Sequence, residues 1–197
     1  MAFDAYMFFK DAGGTPLSGE SQVAWSDQTP LGSDIPKNGS NVFEIDDFNF
    51  DIEQVLNIGS QSSGIGAGRV TFNPFTITRK TDKASVQFFT MCCAGTHFKE
   101  VSLLLRKAGA GGASIQNASG DDMASGATFL RYDFGLVGVK TISWSGSDGD
   151  EAPKEEIAFE YGSIKVRYCQ QNKDGSLAAP IPGSWNRINN TSKFDIT

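Results

Sequence analysis

The side chains with the most obvious chemical potential are the single histidine, His97, and the neighbouring thiols Cys92 and Cys93, with a third thiol at Cys169. An imidazole titrates near neutrality and can serve as a base, and a thiolate beside it can attack a carbonyl. Cys92 and Cys93, however, sit in the apolar run Phe88 to Ala94, where cysteine acts as a small hydrophobe, so buried and inert thiols are expected. No CxxC or HExxH spacing accompanies them, so they form no zinc site. The glycine-rich run Ser63 to Arg69 lacks the GKS or GKT ending of a phosphate loop and feeds a strand beginning at Val70, which makes it a flexible loop. Asp148, Asp150 and Glu151 lack the calcium-hand spacing and read as a solvated turn. Among 23 acidic residues no pair stands out for glycoside cleavage. The expectation is a protein that is not an enzyme, without catalytic residues, cofactor-binding residues or metal ligands.

Composition narrows the class further. The chain has 197 residues, 39% of them apolar and 20% charged, which is enough to bury a core without disulfide or metal staples. One domain spanning 1–197 is expected. An odd number of cysteines, two of them adjacent, is no disulfide framework and suits a reducing compartment. The net charge of −6 disfavours a nucleic-acid partner and an anionic membrane surface. The beginning of the chain carries no positive region followed by an apolar stretch, and no run of eighteen apolar residues occurs, so neither an export signal nor membrane insertion is expected. Synthesis and folding in the cytosol follow, with any export independent of the general signal. Asn117, Asn189 and Asn190 head glycosylation sequons that such a protein would not use.

The elements that must position these residues are mainly strands. Phe48, Phe50 and Ile52 alternate with Asp47, Asn49 and Asp51, the signature of a half-buried strand. Similar readings hold for Phe3 to Phe9, Val70 to Arg79, and Val101 to Arg106. Ile157 to Tyr161 and Ile164 to Tyr168 read as a hairpin turning at Gly162 and Ser163. Thr128 to Trp144 would span more than about 50 Å if straight. It must therefore bend, with Gly135 and Gly138 as the natural corners.

One helix is predicted, capped by Thr81 or Asp82, filling Lys83 to Cys93 and ending at Gly95. Its apolar face, Ala84, Phe88, Phe89, Met91, Cys92 and Cys93, is far wider than the stripe of about 100° that a helix on a barrel needs. Either another subunit covers the excess or the helix lies deep between a sheet and its own loops. Two long connections remain, an arm over about 11–41 with Trp25 in its middle and an Ala/Gly/Ser tract over about 108–126. No internal repeat is visible.

Arg69 to Lys80, Asp82 to Ser85, and Phe98 to Val101 begin an ordered series of segments. Lys140 to Trp144, Pro153 to Glu156, Phe159 to Gly162, Gln170 to Asn172, and Gly183 to Asn186 continue it. The series resembles the haemolysin-coregulated proteins, the tube subunits of bacterial type VI secretion. The resemblance implies a two-sheet β-barrel with one flanking α-helix and long loops. It further implies a homo-hexameric ring, rings stacked into a tube, a contractile sheath, a spike protein, and effector cargo in the lumen. Delivery would then follow cytosolic assembly without a signal peptide. Trp25 and Trp185, large aromatics in loop contexts, are expected at subunit contacts, and Phe88 and Phe89 with them through the helix; equally, each tryptophan could plug its own barrel. Two other readings stay open: the tube of a related contractile particle or phage tail, and a monomeric barrel holding a small ligand.

Overall fold

In the computed structural model, residues 3–23, 25, 27, 29–36, 39–57, 66–107, 127–173 and 176–196 are described, with backbone alone for 55–57 and 66–69. The Ala/Gly/Ser tract at 108–126 and the residues 63–65 lie outside them.

The architecture is organised around two long antiparallel strands, β8 (Thr128–Ser145) and β9 (Lys154–Tyr168), paired almost end to end from Leu130↔Tyr168 to Ser145↔Lys154. The hairpin expected at Gly162 and Ser163 is therefore absent, because both residues stay in one strand opposite Leu136 and Gly135. β8 bends as its length demands. The bend includes Leu136, at φ 50, beside the predicted corner Gly135, and a register shift between Val139 and Thr141. Gly135 lies close to β9, where an added Cβ would come within 2.5 Å of the Ser163 hydroxyl.

Around this pair the sheet closes on itself. β1 (Phe3–Asp11) and β7 (His97–Lys107) continue from β8, and β6 (Phe75–Lys80) continues from β9. Closure comes from β2 (Val42–Ile45), which pairs with β1, and β3 (Asp47–Asn49), which pairs with β6. Only Asp46 separates them, and its N–H donates to the Thr78 carbonyl at 2.9 Å, so one continuous stretch spans the seam. Among the described strands, β10 (Ile181–Asn186) pairs with β9 alone. A second, two-stranded sheet consists of β4 (Ile52–Asn57) and β5 (Gly66–Phe72). Two expected strands are thus each divided. Asp47 to Ile52 splits between β3 and β4, and Val70 to Arg79 splits at Asn73 and Pro74, where proline supplies no ladder donor. Gly66 to Arg69 already belong to β5, so the part of the glycine-rich run within the described residues is strand, not loop.

Phenylalanine fills the barrel. Phe75 stacks on Phe134 at 4.6 Å, and Phe9 lies within 6 Å of Phe43, Phe88, Phe98 and Phe159, all of them buried. Phe88 arrives from helix α1 (Ser85–Ala94), which plugs this core. The helix begins two residues later than its pattern predicts. Asp82 accepts the Ala84 N–H, and Ser85 Oγ accepts that of Asp82, so this turn consumes the first residues. Gly95 terminates it at φ 65, as expected, with its N–H returned to the Met91 carbonyl.

β7 is buried on both faces. Val101, Leu103 and Leu105 face the phenylalanines, while Leu104 packs outside the barrel with Phe8, Val42, Trp25 and Ile35. The arm thus builds a second small core. Trp25 donates its indole N–H to the Gly32 carbonyl at 3.1 Å, and the Arg106 guanidinium lies 4.8 Å over its ring. Beside this core runs a buried ionic line. Arg131, 1% exposed, donates to Asp133 at 2.7 Å, to the Leu31 carbonyl at 2.8 Å and to Asp34. Arg167 completes Asp133 at 2.7 Å, and Asp27 accepts from the Thr128 N–H and hydroxyl.

Candidate association surfaces

Helix α1 contains no charged residue in ten positions. Ser85, Phe88 and Met91 turn inward, whereas Val86 is 68% and Phe89 50% exposed. The wide apolar face predicted from the wheel therefore divides between a plug and an uncovered surface. Phe89 meets Trp144 of β8 at 6.2 Å between ring centroids, and Trp144 is itself half-exposed. The indole is fixed from below: its N–H donates to Glu155 at 3.2 Å, and that buried carboxylate also accepts from the Ser85 hydroxyl and faces Arg79. Burial raises the Glu155 pKa, against the opposing pull of Arg79 and the two hydrogen bonds. A rigid exposed tryptophan beside an exposed phenylalanine resembles the pre-paid aromatic anchors of protein interfaces.

A second surface is the β4–β5 hairpin, which pairs with no other strand among the described residues. Two strands alone are marginally stable in water, so such a hairpin gains from whatever completes its edges. Between it and the middle of β8 and β9 opens a cleft of about 1440 Å³, lined by Phe72, Leu136, Tyr161, Trp185, Arg187 and Ile188 among others. Arg187 sits 5.3 Å from the Phe72 ring and 5.1 Å from Tyr161, and pairs with Glu160 at 3.4 Å. The Glu160 carboxyl is under opposing pulls: its burial favours the neutral form, and Lys140 and Arg187 override this to lower its pKa. Burial pushes the Tyr161 phenol up to about 12, so it is neutral across the physiological range.

The four side chains expected at subunit contacts are scattered. Trp25, 2% exposed, serves the arm's own core, and Phe88, at 0%, serves the barrel; neither offers surface to a partner in this arrangement. Trp185 is half-buried in the cleft, and Phe89 alone stands on an open face. Two signals in the sequence pointed to what was missed. The uncharged helix interior marked Val86, and Trp144 lies in a strand whose neighbours are polar.

The thiol expectation needs correction. Cys93 is exposed and Cys92 half-buried, because the helix turns Phe88 and Met91 rather than these residues toward the barrel; Cys169 is buried. No hydrogen bond joins either helical thiol to His97, which opens β7 at the cleft. Native alkylation followed by mass spectrometry should modify Cys93 first, Cys92 more slowly and Cys169 only after unfolding. Rapid native labelling of Cys169 would contradict this packing. Asp148 and Asp150 lie in an exposed turn, with the Ser147 N–H donated to Asp150 at 2.8 Å, and Glu151 pairs with Lys80 at 2.7 Å.

A filled antiparallel barrel, plugged by a helix with one bare face and carrying a projecting hairpin, is a scaffold equipped for association. Residues 31–168 match the family model described as type VI secretion system effector, Hcp, and the chain belongs to that family. Protein hcp1 of Pseudomonas aeruginosa is 27% identical over 119 residues, an alignment covering 60% of this chain and 65% of that relative. A solved type six secretion system protein superposes with a TM-score of 0.70 at 23% identity, covering 98% of this chain and all (100%) of the other. Hcp1 from Salmonella typhimurium superposes with a TM-score of 0.60 at 22% identity, with coverages of 98% and 100%. These two likenesses show that the fold, a closed large sheet with a small second sheet and one helix, is shared with them.

Proposed function

We propose that this chain is a structural tube subunit of a type VI secretion system, forming hexameric rings that stack into an injected tube whose lumen carries small effectors. The observation that carries this reading is the family match joined to a bare, uncharged helix face on a barrel whose interior is already full. Sheath and spike proteins are the further partners, with assembly in the cytosol preceding delivery and no export signal required. The buried phenylalanines that pack ring against ring among the described residues of the barrel disfavour the monomeric alternative with a ligand in its interior.

Head-to-tail contacts around a ring are heterologous, so the two surfaces that meet differ. The Val86, Phe89 and Trp144 patch is suited to be one of them, and the β4–β5 hairpin, which pairs with no other strand among the described residues, is suited to meet the next ring. Electron microscopy of the purified chain, with light scattering, tests the proposal. Annular particles of six copies are expected; a species of 21.2 kDa at every concentration would overturn it.

A further inference from the structure

β10 lies off the closed path of the large sheet, so its outer edge is where that sheet could accept another strand. The Arg187 N–H donates inward to the Gly162 carbonyl at 2.9 Å, whereas the Asn186 N–H donates outward to Thr191 at 2.8 Å. Alternation along a strand then places Pro182, Ser184 and Asn186 with their backbone groups outward. Pro182 has no N–H to offer, and Asn186 is already paired, exchanging both backbone hydrogen bonds with Thr191. At the remaining position the Ser184 hydroxyl donates to the Ser192 carbonyl at 2.8 Å.

The segment that returns along this edge is built in. Asn186, fully buried, donates its side-chain amide to the Asp195 carbonyl at 2.9 Å and accepts the N–H groups of Ile188 and Asn189. Phe194 lies under Lys165 at 5.6 Å. Ile196 packs against Gly162, where an added Cβ would come within 2.8 Å of its Cδ1.

We infer that residues 187–196 are an edge guard, which together with Pro182 closes β10 against strand addition by a second copy of this chain. A subunit that works at high local concentration needs its copies to meet through chosen surfaces, and an open strand edge would compete with them. The inference stands whether the full chain is annular or solitary, because it concerns only the edge that is closed.

The test is a chain ended at Arg187 and carrying Pro182→Thr, beside a full-length Phe194→Ala/Ile196→Ala variant that loosens the guard without touching β10. Hydrogen exchange at Asn186 should quicken at least about tenfold in dilute samples of both. On concentration, the guardless chain should associate beyond the parent's size, with the Ser184 amide newly protected in the larger species. If the ended chain fails to fold, the full-length variant with Pro182→Thr added decides by the same two readouts. Unchanged exchange and association in a folded variant, or association that leaves Ser184 unprotected, would overturn the inference.

Discussion

A Phe88→Ala variant is expected to lose about 3–5 kcal/mol of stability, whereas Phe89→Asp, one position along, should fold normally and fail to assemble. The difference follows from placement. Phe88 is fully buried and its ring lies 5.1 Å from Phe9 and 5.9 Å from Phe98, so its removal leaves a cavity in a packed aromatic core. Phe89 is half-exposed against Trp144, so a carboxylate there stays hydrated in the isolated subunit and costs little. Buried at a contact between copies, the same carboxylate would be desolvated without a partner, a cost of several kcal/mol that a ring repeats at every interface. Urea denaturation and light scattering separate the two effects. A Phe88→Ala protein within about 1 kcal/mol of the parent would refute the helix's role as plug. A Phe89→Asp protein that assembles like the parent would remove this helix face from the contact.

Arg131→Met should be comparably damaging, costing about 3 kcal/mol, because a buried carboxylate loses one of its two arginines and the Leu31 carbonyl loses its donor. Asp133 is 2% exposed and shares its charge between Arg131 and Arg167, and only the latter would remain. Burial works against the charge on Arg131, and Asp133 and Asp34 outweigh it, raising its pKa so that it stays protonated throughout. Urea denaturation checks this, and a loss below about 1 kcal/mol would mean that the ionic line contributes little.

The same line predicts how the arm responds to acid. Partial burial pushes the Asp34 pKa up, but the Arg131 hydrogen bond and charge prevail and lower it. Its contribution is therefore complete above the ordinary aspartate value of about 3.9 and is lost as pH falls through the lower folded value. With Trp144 and Trp185 replaced by phenylalanine, Trp25 emission should shift to the red in that acid window as the arm loosens. An Asp34→Asn variant should show the shift already at neutral pH.

Local pattern alone carried a good part of this structure. Alternation located β1, β7 and most of β9, the long extended run from Thr128 to Trp144 marked β8, and the left-handed residue after the helix was readable at Gly95, because periodicity and backbone permissiveness are properties of neighbours in the chain. Resemblance in an ordered series of segments carried the family. What local pattern missed depends on distant partners. Gly162 and Ser163 read as a turn, yet they stay extended because β8 lies beside them along its whole length. The arm read as a surface loop, yet Trp25 and Ile35 cover an outer barrel face whose Leu104 lies far away in sequence.

The amino-acid sequence by itself determined a strand-rich chain with one helix whose apolar face is wider than packing on a barrel requires. Only the tertiary structure decided which part of that surface is spent. Phe88 and Trp25 vanish into separate cores, while Phe89 and Trp144 stay outside and the returning segment 187–196 shuts the edge of β10. The reason is that hydrophobicity is written in the residue, whereas exposure depends on which remote residues arrive first to cover it.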